Sequence, residues 1–314
     1  MKSVVAVELT DDYIRAAEIS DPLTTKPKLV RFGEYEIPRG VASESEIYDV
    51  EAVTDGLKEF WKEKKFGTKD VIVALGGRKI LVREYETPLA ELAKIKKNLP
   101  FEAANHIPPQ MGNATLDFYP GEIVEGEGQK LLKGLLIAAP AEPAEKVIAA
   151  FTSAGLNVVG ADYLPFAVAR MARKAYGNTG EYLLVNVKPH STDIVALKDG
   201  VPQLVRVIPQ GVIVRNESGG KHGADADEVG TLLSSLRNTI SFYEGKGGKP
   251  AAVLVTGEGS TSLEFIERAP DMLQLQIGVL ELDKAIKLPA KEEDFVKNAA
   301  SVGVVGVALR GFKN

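Results

Sequence analysis

Three short apolar runs give the second half of the chain its pattern. Leu183-Leu184-Val185 is followed by a polar stretch from Asn186 to Asp193, then by apolar runs from Ile194 to Leu197 and from Gln203 to Ile208. Asp199-Gly200 joins the last two runs with a dipeptide suited to tight hairpin turns. Pro209-Gln210-Gly211 ends the third run. This predicts a three-strand meander. The same shape opens the chain: Val4 to Val7, a polar turn from Glu8 to Asp12, a strand from Tyr13 to Ile19 and, after a Pro-broken loop, a strand from Leu29 to Ile37. Either the chain is built from two related halves whose polar turns face each other across a cleft, or two hairpins look alike by chance.

Between and after the meanders the pattern changes. Glu51 to Lys65 has apolar residues at helical spacing (Val53, Leu57, Phe60, Trp61), with Gly67 as a stop signal. Asp70 to Leu75 reads as a strand buried on both faces. Strands are predicted over 80–87, 116–119, 122–124 and 130–139, and a helix over 89–104 that bends at Pro100. A helix over 142–154, a strand over 156–160 and a helix over 165–176 follow, Pro165 being well placed in a first turn. Asp162 reads as a cap for that helix. The Gly-rich stretch from Arg215 to Asp227 reads as a loop, and 227–243 as a helix. A strand over 251–255, a helix over 261–268, a strand over 273–280 and a final helix over 294–309 complete the order.

Composition narrows the classes. The 314 residues fit about two domains. A net charge of −5 without a visible basic stripe argues against nucleic acid as a main partner. With no cysteine there is no disulfide, thiolate metal site or cysteine nucleophile, and His106, His190 and His222 show no metal-ligand spacing. Neither a membrane span nor a signal peptide is visible.

The chemistry-bearing candidates are turns. Thr256-Gly257-Glu258-Gly259-Ser260 lies between a buried strand and a helix, where backbone N–H groups attract anions; alone it is a weak nucleotide signal, and it is not a P-loop. Glu8-Leu9-Thr10 and His190-Ser191-Thr192 offer hydroxyls that could meet a ligand or simply close hairpins.

These segments together resemble the PilM family of type IV pilus assembly proteins, relatives of FtsA and of actin-like ATPases, over nearly the whole chain. The similar pieces are Val4 to Thr10 with Tyr13 to Ile19, Leu99 to Pro108 followed by Leu116-Asp117-Phe118, Asn157 to Arg170, Arg237 to Tyr243, Val255 to Ser260, and Ser301 to Gly311. The stretch from Leu99 is the most specific. The resemblance implies an α/β, actin-like (ribonuclease H-like) two-lobed fold. Residues 1–77 and 140–177 would form one lobe, 78–139 a small inserted α+β subdomain, and 178–314 the second lobe with a reduced 212–250 subdomain. It also implies a cytoplasmic adaptor, peripheral at the inner membrane, that binds the N-terminal tail of a PilN-like membrane protein. Pilus motor and platform proteins would be further partners, with self-association a family option.

The nucleotide-contacting positions would be Glu8, Thr10, Asn186, Lys188, Ser191, Thr192, Gly257, Glu258, Gly259 and Ser260, holding ATP with Mg2+. The departures weaken this. Thr10 stands where the family has glycine in the first phosphate turn, Asn186 and Lys188 replace an acid and a glycine in the second, Glu258 replaces a glycine, and the segment from Gly211 to Asp227 is short. Several lost polar contacts, each on the order of 1–3 kcal/mol, would move micromolar ATP binding towards millimolar. Lys188 could offset part of this by pairing with a phosphate. The expectation is therefore an adaptor with weak or lost ATP binding and no catalytic residue. The alternatives are an active actin-like ATPase, for which only Glu8 supplies an acid at a phosphate turn, and an FtsA-like filament former, the weaker match because no amphipathic membrane helix precedes Gly311-Phe312-Lys313-Asn314.

Overall fold

The two meanders are related by more than appearance. The computed structural model describes residues 3–102, 106–126, 128–217, 221–289 and 299–311. In it β1 (Ser3–Leu9), β2 (Tyr13–Ser20) and β3 (Lys28–Glu36) pair antiparallel. A two-residue pair, β4 (Ala42–Ser43) and β5 (Glu46–Ile47), precedes α1 (Val50–Lys64). Strand β6 (Asp70–Leu75) then runs parallel to β1. The three-stranded piece that follows is β7 (Leu81–Pro88), α2 (Leu92–Glu102), β8 (Ala114–Gly126) and β9 (Gln129–Pro140). Helix α3 (Ala141–Ser153), β10 (Asn157–Tyr163) and α4 (Leu164–Tyr176) lead to the second meander, β11 (Glu181–Val187), β12 (Thr192–Lys198) and β13 (Val201–Ile208). A short pair, β14 (Arg215–Glu217) and β15 (Lys221–Gly223), precedes α5 (Ala226–Gly245), β16 (Ala252–Thr256), α6 (Leu263–Leu273), β17 (Gln276–Val279) and α7 (Val302–Ala308).

The sheet orders are β10-β6-β1-β2-β3 and β13-β12-β11-β16-β17. Each is a meander with two parallel strands added beside its first strand, so the two halves share one topology.

Side-chain alternation places the helices. Val5, Val7, Ile14 and Ala16 face outward onto α1 and α3, where Val53, Leu57, Phe60 and Phe151 are buried. Val4, Ala6, Ala17 and Ile19 face inward, into a core shared with α4, α7 and the inner face of the second sheet through Leu184, Val195 and Leu197. Leu183, Val185 and Val187 face outward onto α5 and α6. Helices α4 and α7 thus fill the joint between the lobes. They approach closely because α7 carries glycines: a methyl group at Gly306 would lie 2.8 Å from the Ala167 carbonyl carbon. Arg170 Nη1 donates to the Gly306 carbonyl (2.7 Å) and to Asp162 Oδ2 (2.6 Å). The inserted piece has its own sheet, order β7-β9-β8, and a small core in which Ile95 and Leu99 of α2 meet Tyr85, Phe118, Leu132 and Leu136.

Local expectations shift in several places. Asp162 lies inside β10 and serves Arg170 rather than capping α4. Helix α1 stops at Lys65, which takes φ 53°, two residues before the expected glycine. The strands expected over 116–119 and 122–124 are one strand, β8, irregular between Pro120 and Ile123. The segment from Arg215 to Asp227 pairs β14 with β15 rather than forming a plain loop; 218–220 lie outside the described residues. Ser262 caps α6 by accepting from Phe265 N, so a short 3₁₀ turn (Glu258–Thr261) comes first and the helix runs to Leu273. Of the expected 294–309 helix, residues 290–298 lie outside the description; a 3₁₀ turn (Ala299–Ser301) leads into α7.

Candidate functional site

The turns of both meanders open onto one cleft, and the turn after β16 closes it from the second lobe. The cavity between them measures about 50 Å³, room for a few water molecules. Of the ten expected residues it gathers Glu8, Thr10, Asn186, Lys188, Ser191, Gly257 and Glu258. Thr192, Gly259 and Ser260 are not in its wall.

Several of these residues hydrogen-bond within their own turns. Thr10 Oγ1 accepts from Tyr13 N (3.0 Å) and donates to Tyr13 O (3.1 Å), closing its own turn. Thr192 Oγ1 donates to Gln210 O (2.8 Å), and Ser260 Oγ donates to Gly257 O (2.8 Å). Gly257 has φ 86°, and a side chain there would meet Asn186 Oδ1 at 2.6 Å. The nearest atoms a methyl at Gly259 would strike are side-chain atoms of Val187 and Val212. Both glycines are therefore needed for packing around the end of β11.

The second hairpin carries a carboxylate on its second strand. Asp193 pairs in register with Asn186. Its Oδ2 accepts from Asn186 Nδ2 (3.0 Å) and its Oδ1 from Lys188 Nζ (3.0 Å). Burial pulls the Lys188 pKa down, but Asp193 with Glu44 and Glu8 outweighs this and holds it above the usual lysine range. Lys188 is thus committed within its own lobe.

The first hairpin contributes Glu8 and, opposite it on β2, Arg15. Burial, offset only in part by Arg15 and Lys188, pushes the Glu8 carboxyl up to about 7. Its Oε2 is buried and has no hydrogen-bond partner among the described residues; the same holds for Asp11 Oδ1, Glu44 Oε1 and Ser191 Oγ in the same wall. Arg15 Nε donates to Glu34 on β3, and Arg15 Nη2 donates to Glu258 of the second lobe. His190 Nε2 lies 3.6 Å from Asp11 Oδ2, again across the cleft.

Arg15, Asp11, Asp193 and Glu44 were not among the expected site residues. Arg15 carried a signal, a charge in the otherwise apolar stretch Tyr13 to Ile19. Asp193 carried one as well, since it mirrors Asn186 about the turn. Glu44, in the left-handed region at φ 48°, arrives from a loop with no pattern to mark it.

Two sheets of one topology, hinged through a pair of helices and facing each other across a cleft of hairpin turns, define an actin-like fold. The chain belongs to the family described as type IV pilus assembly protein PilM, whose match spans residues 6–193. Among solved structures it is similar to the PilM-PilN type IV pilus biogenesis complex, with TM-score 0.83 and 22% identity over 99% of both chains. It is also similar to ethanolamine utilization protein EutJ from Carboxydothermus hydrogenoformans (TM-score 0.55, 14% identity, 99% of this chain and 90% of that one). MreB5 of Spiroplasma citri bound to ADP matches at TM-score 0.51 and 11% identity, over 99% and 96% of the chains. No curated protein matches the sequence.

Proposed function

We propose that this chain is a docking adaptor of type IV pilus or related assembly, one that binds the N-terminal tail of a PilN-like inner-membrane protein and has weak or no affinity for ATP. The observation that carries the second half is that both cations of the cleft are already matched: Arg15 by Glu34 and Glu258, Lys188 by Asp193. Glu8 and Asp11 line the same wall, and Asp12 and Glu44 beside them are answered by Arg39 and Arg78. A triphosphate entering would find both cations of the described wall already committed and the turns around them fixed, so the residues present do not fit it. Isothermal titration with ATP·Mg2+ tests this; low-micromolar saturation overturns it.

Support for the docking role comes from family membership and from the solved complex, which carries PilM with PilN. The partner's seat is proposed beside the inserted piece, where β7 and β13 are both edge strands. A groove of about 370 Å³ runs past them, lined by Ile80, Leu81, Val82 and Val205 with Arg78 and Arg206 at its sides. Exposed edges accept an extended peptide as an added strand. Contact with pilus motor and platform proteins, and attachment to the cytoplasmic face of the inner membrane through the partner, belong to the same proposal. Among the described residues no helix is long and apolar enough to cross a membrane. Retention of the chain by an immobilised PilN-like tail, lost on Val205→Asp, is the expected result.

One observation favours an ATPase instead. Glu8, buried and with its pKa near 7, has the poise of a general base. Phosphate release above background that disappears in Glu8→Gln would establish that reading.

A further inference from the structure

Glu258 has a partner in the opposite lobe. Arg15 stands on β2, in the interior of the first lobe, with 8% of its side chain exposed. Its guanidinium is aimed from one side: Glu34, directly opposite on β3, takes Nε, leaving the far edge of the fork to face the second lobe. Glu258 meets that edge from the turn after β16. This turn is itself a fixed mount, because Gly257 and Gly259 are pressed against the end of β11 and Gly257 N donates to Ala299 O (3.2 Å).

We infer that Arg15 and Glu258 form a built-in clasp holding the two lobes closed, so that the chain itself supplies the closure that a ligand bound between two hinged lobes would otherwise bring about. Closure of hinged lobes around a ligand draws on contacts the ligand makes to both sides. Here a guanidinium rooted in one lobe makes those contacts, and a carboxylate rooted in the other completes them. An exposed ion pair would contribute little. This one differs in that its cation is buried, already oriented by Glu34, and answered by a carboxylate on an unyielding turn. The inference rests on the proposal that ATP does not occupy the cleft.

The test is an interlobe distance. Because the chain has no cysteine, Lys62→Cys on α1 and Glu244→Cys on α5, both on exposed helix faces, take spin labels without competition. Pulsed electron resonance on the labelled chain is expected to give one distance population, unchanged by ATP·Mg2+. Glu258→Gln removes the clasp from a partly exposed side chain and is expected to raise the open population about tenfold. Arg15→Lys keeps the charge but cannot serve Glu34 and Glu258 together, and is expected to open the cleft in part. Thermal melts of both variants confirm that they remain folded. Distance distributions matching the unsubstituted chain in both variants overturn the clasp. Calorimetry on the same samples reads ATP affinity separately: tight ATP binding with an opening Glu258→Gln sinks the weak-binding reading but not the clasp, and the converse pattern sinks only the clasp.

Discussion

Asn186 and Asp193 face each other across β11 and β12, and the Asp193 carboxylate divides itself between Asn186 and Lys188, with both contacts at 3.0 Å. A carboxylate thus stands one strand away from Asn186, and Lys188 neutralises it there. Asp193 is 2% exposed. Replacing Asp193 with Ala leaves the largely buried Lys188 ammonium without its hydrogen-bonded counter-charge, with Glu44 and Glu8 offsetting part of the loss, which costs about 3 kcal/mol. Urea denaturation should register this as a large fall in midpoint. Removing both charges, as Lys188→Met with Asp193→Leu, should recover most of the loss, and failure to recover would mean the pair does more than neutralise itself.

Glu8 makes stability depend on pH. Its carboxyl titrates near 7 in the folded chain against an ordinary 4.5. The folded form therefore holds a proton that the unfolded chain has released. That contribution is fully present below about 4.5 and is lost as pH rises through about 7, for a total of about 3 kcal/mol. Glu8→Gln mimics the protonated form. Its melting temperature relative to the unsubstituted chain should rise from pH 5 to pH 8, and a constant difference would place the Glu8 pKa at its ordinary value.

Gly306 is where α7 touches α4. Gly306→Ala forces a methyl against the Ala167 backbone, and overpacking of this kind costs about 1–3 kcal/mol. The strain falls on the joint rather than on either sheet. Hydrogen exchange should show weakened protection in α4 and α7 first, with β6 and β16 little changed; uniform loss would count against this placement.

Nucleotide should not stabilise the chain. With a millimolar dissociation constant, 1 mM ATP·Mg2+ adds only about 0.4 kcal/mol, whereas a 10 μM site would add about 2.7. Thermal-shift measurements with and without ATP separate the two.

Much of the fold could be read in advance. The repeated meander is visible because strand alternation and the Asp199-Gly200 turn are local signals, and the actin-like wiring follows from that repeat together with family motifs. The cleft was only half legible. Glu8, Asn186 and Lys188 fall where expected, yet what they do is set by partners that no local pattern names. Lys188 reads as available to a phosphate, whereas in the fold Asp193 holds it. Arg15 reads as a stray charge in a strand because Glu258 lies 243 positions away. Thr192, Gly259 and Ser260 lie outside the cavity wall, and the two hydroxyls bond to carbonyls of nearby turns.

Helix α7 reaches β1, β2 and β6 as well as α4, so the core of the hinge joins residues from both extremes of the described chain. Of those elements it is the last to leave the ribosome. During synthesis the inner apolar faces of β1 and β2 wait without their cover, and only the arrival of seven residues, Val302 to Ala308, seals them. A nascent chain stalled before that point would be a natural client for chaperones, however well its individual sheets had formed.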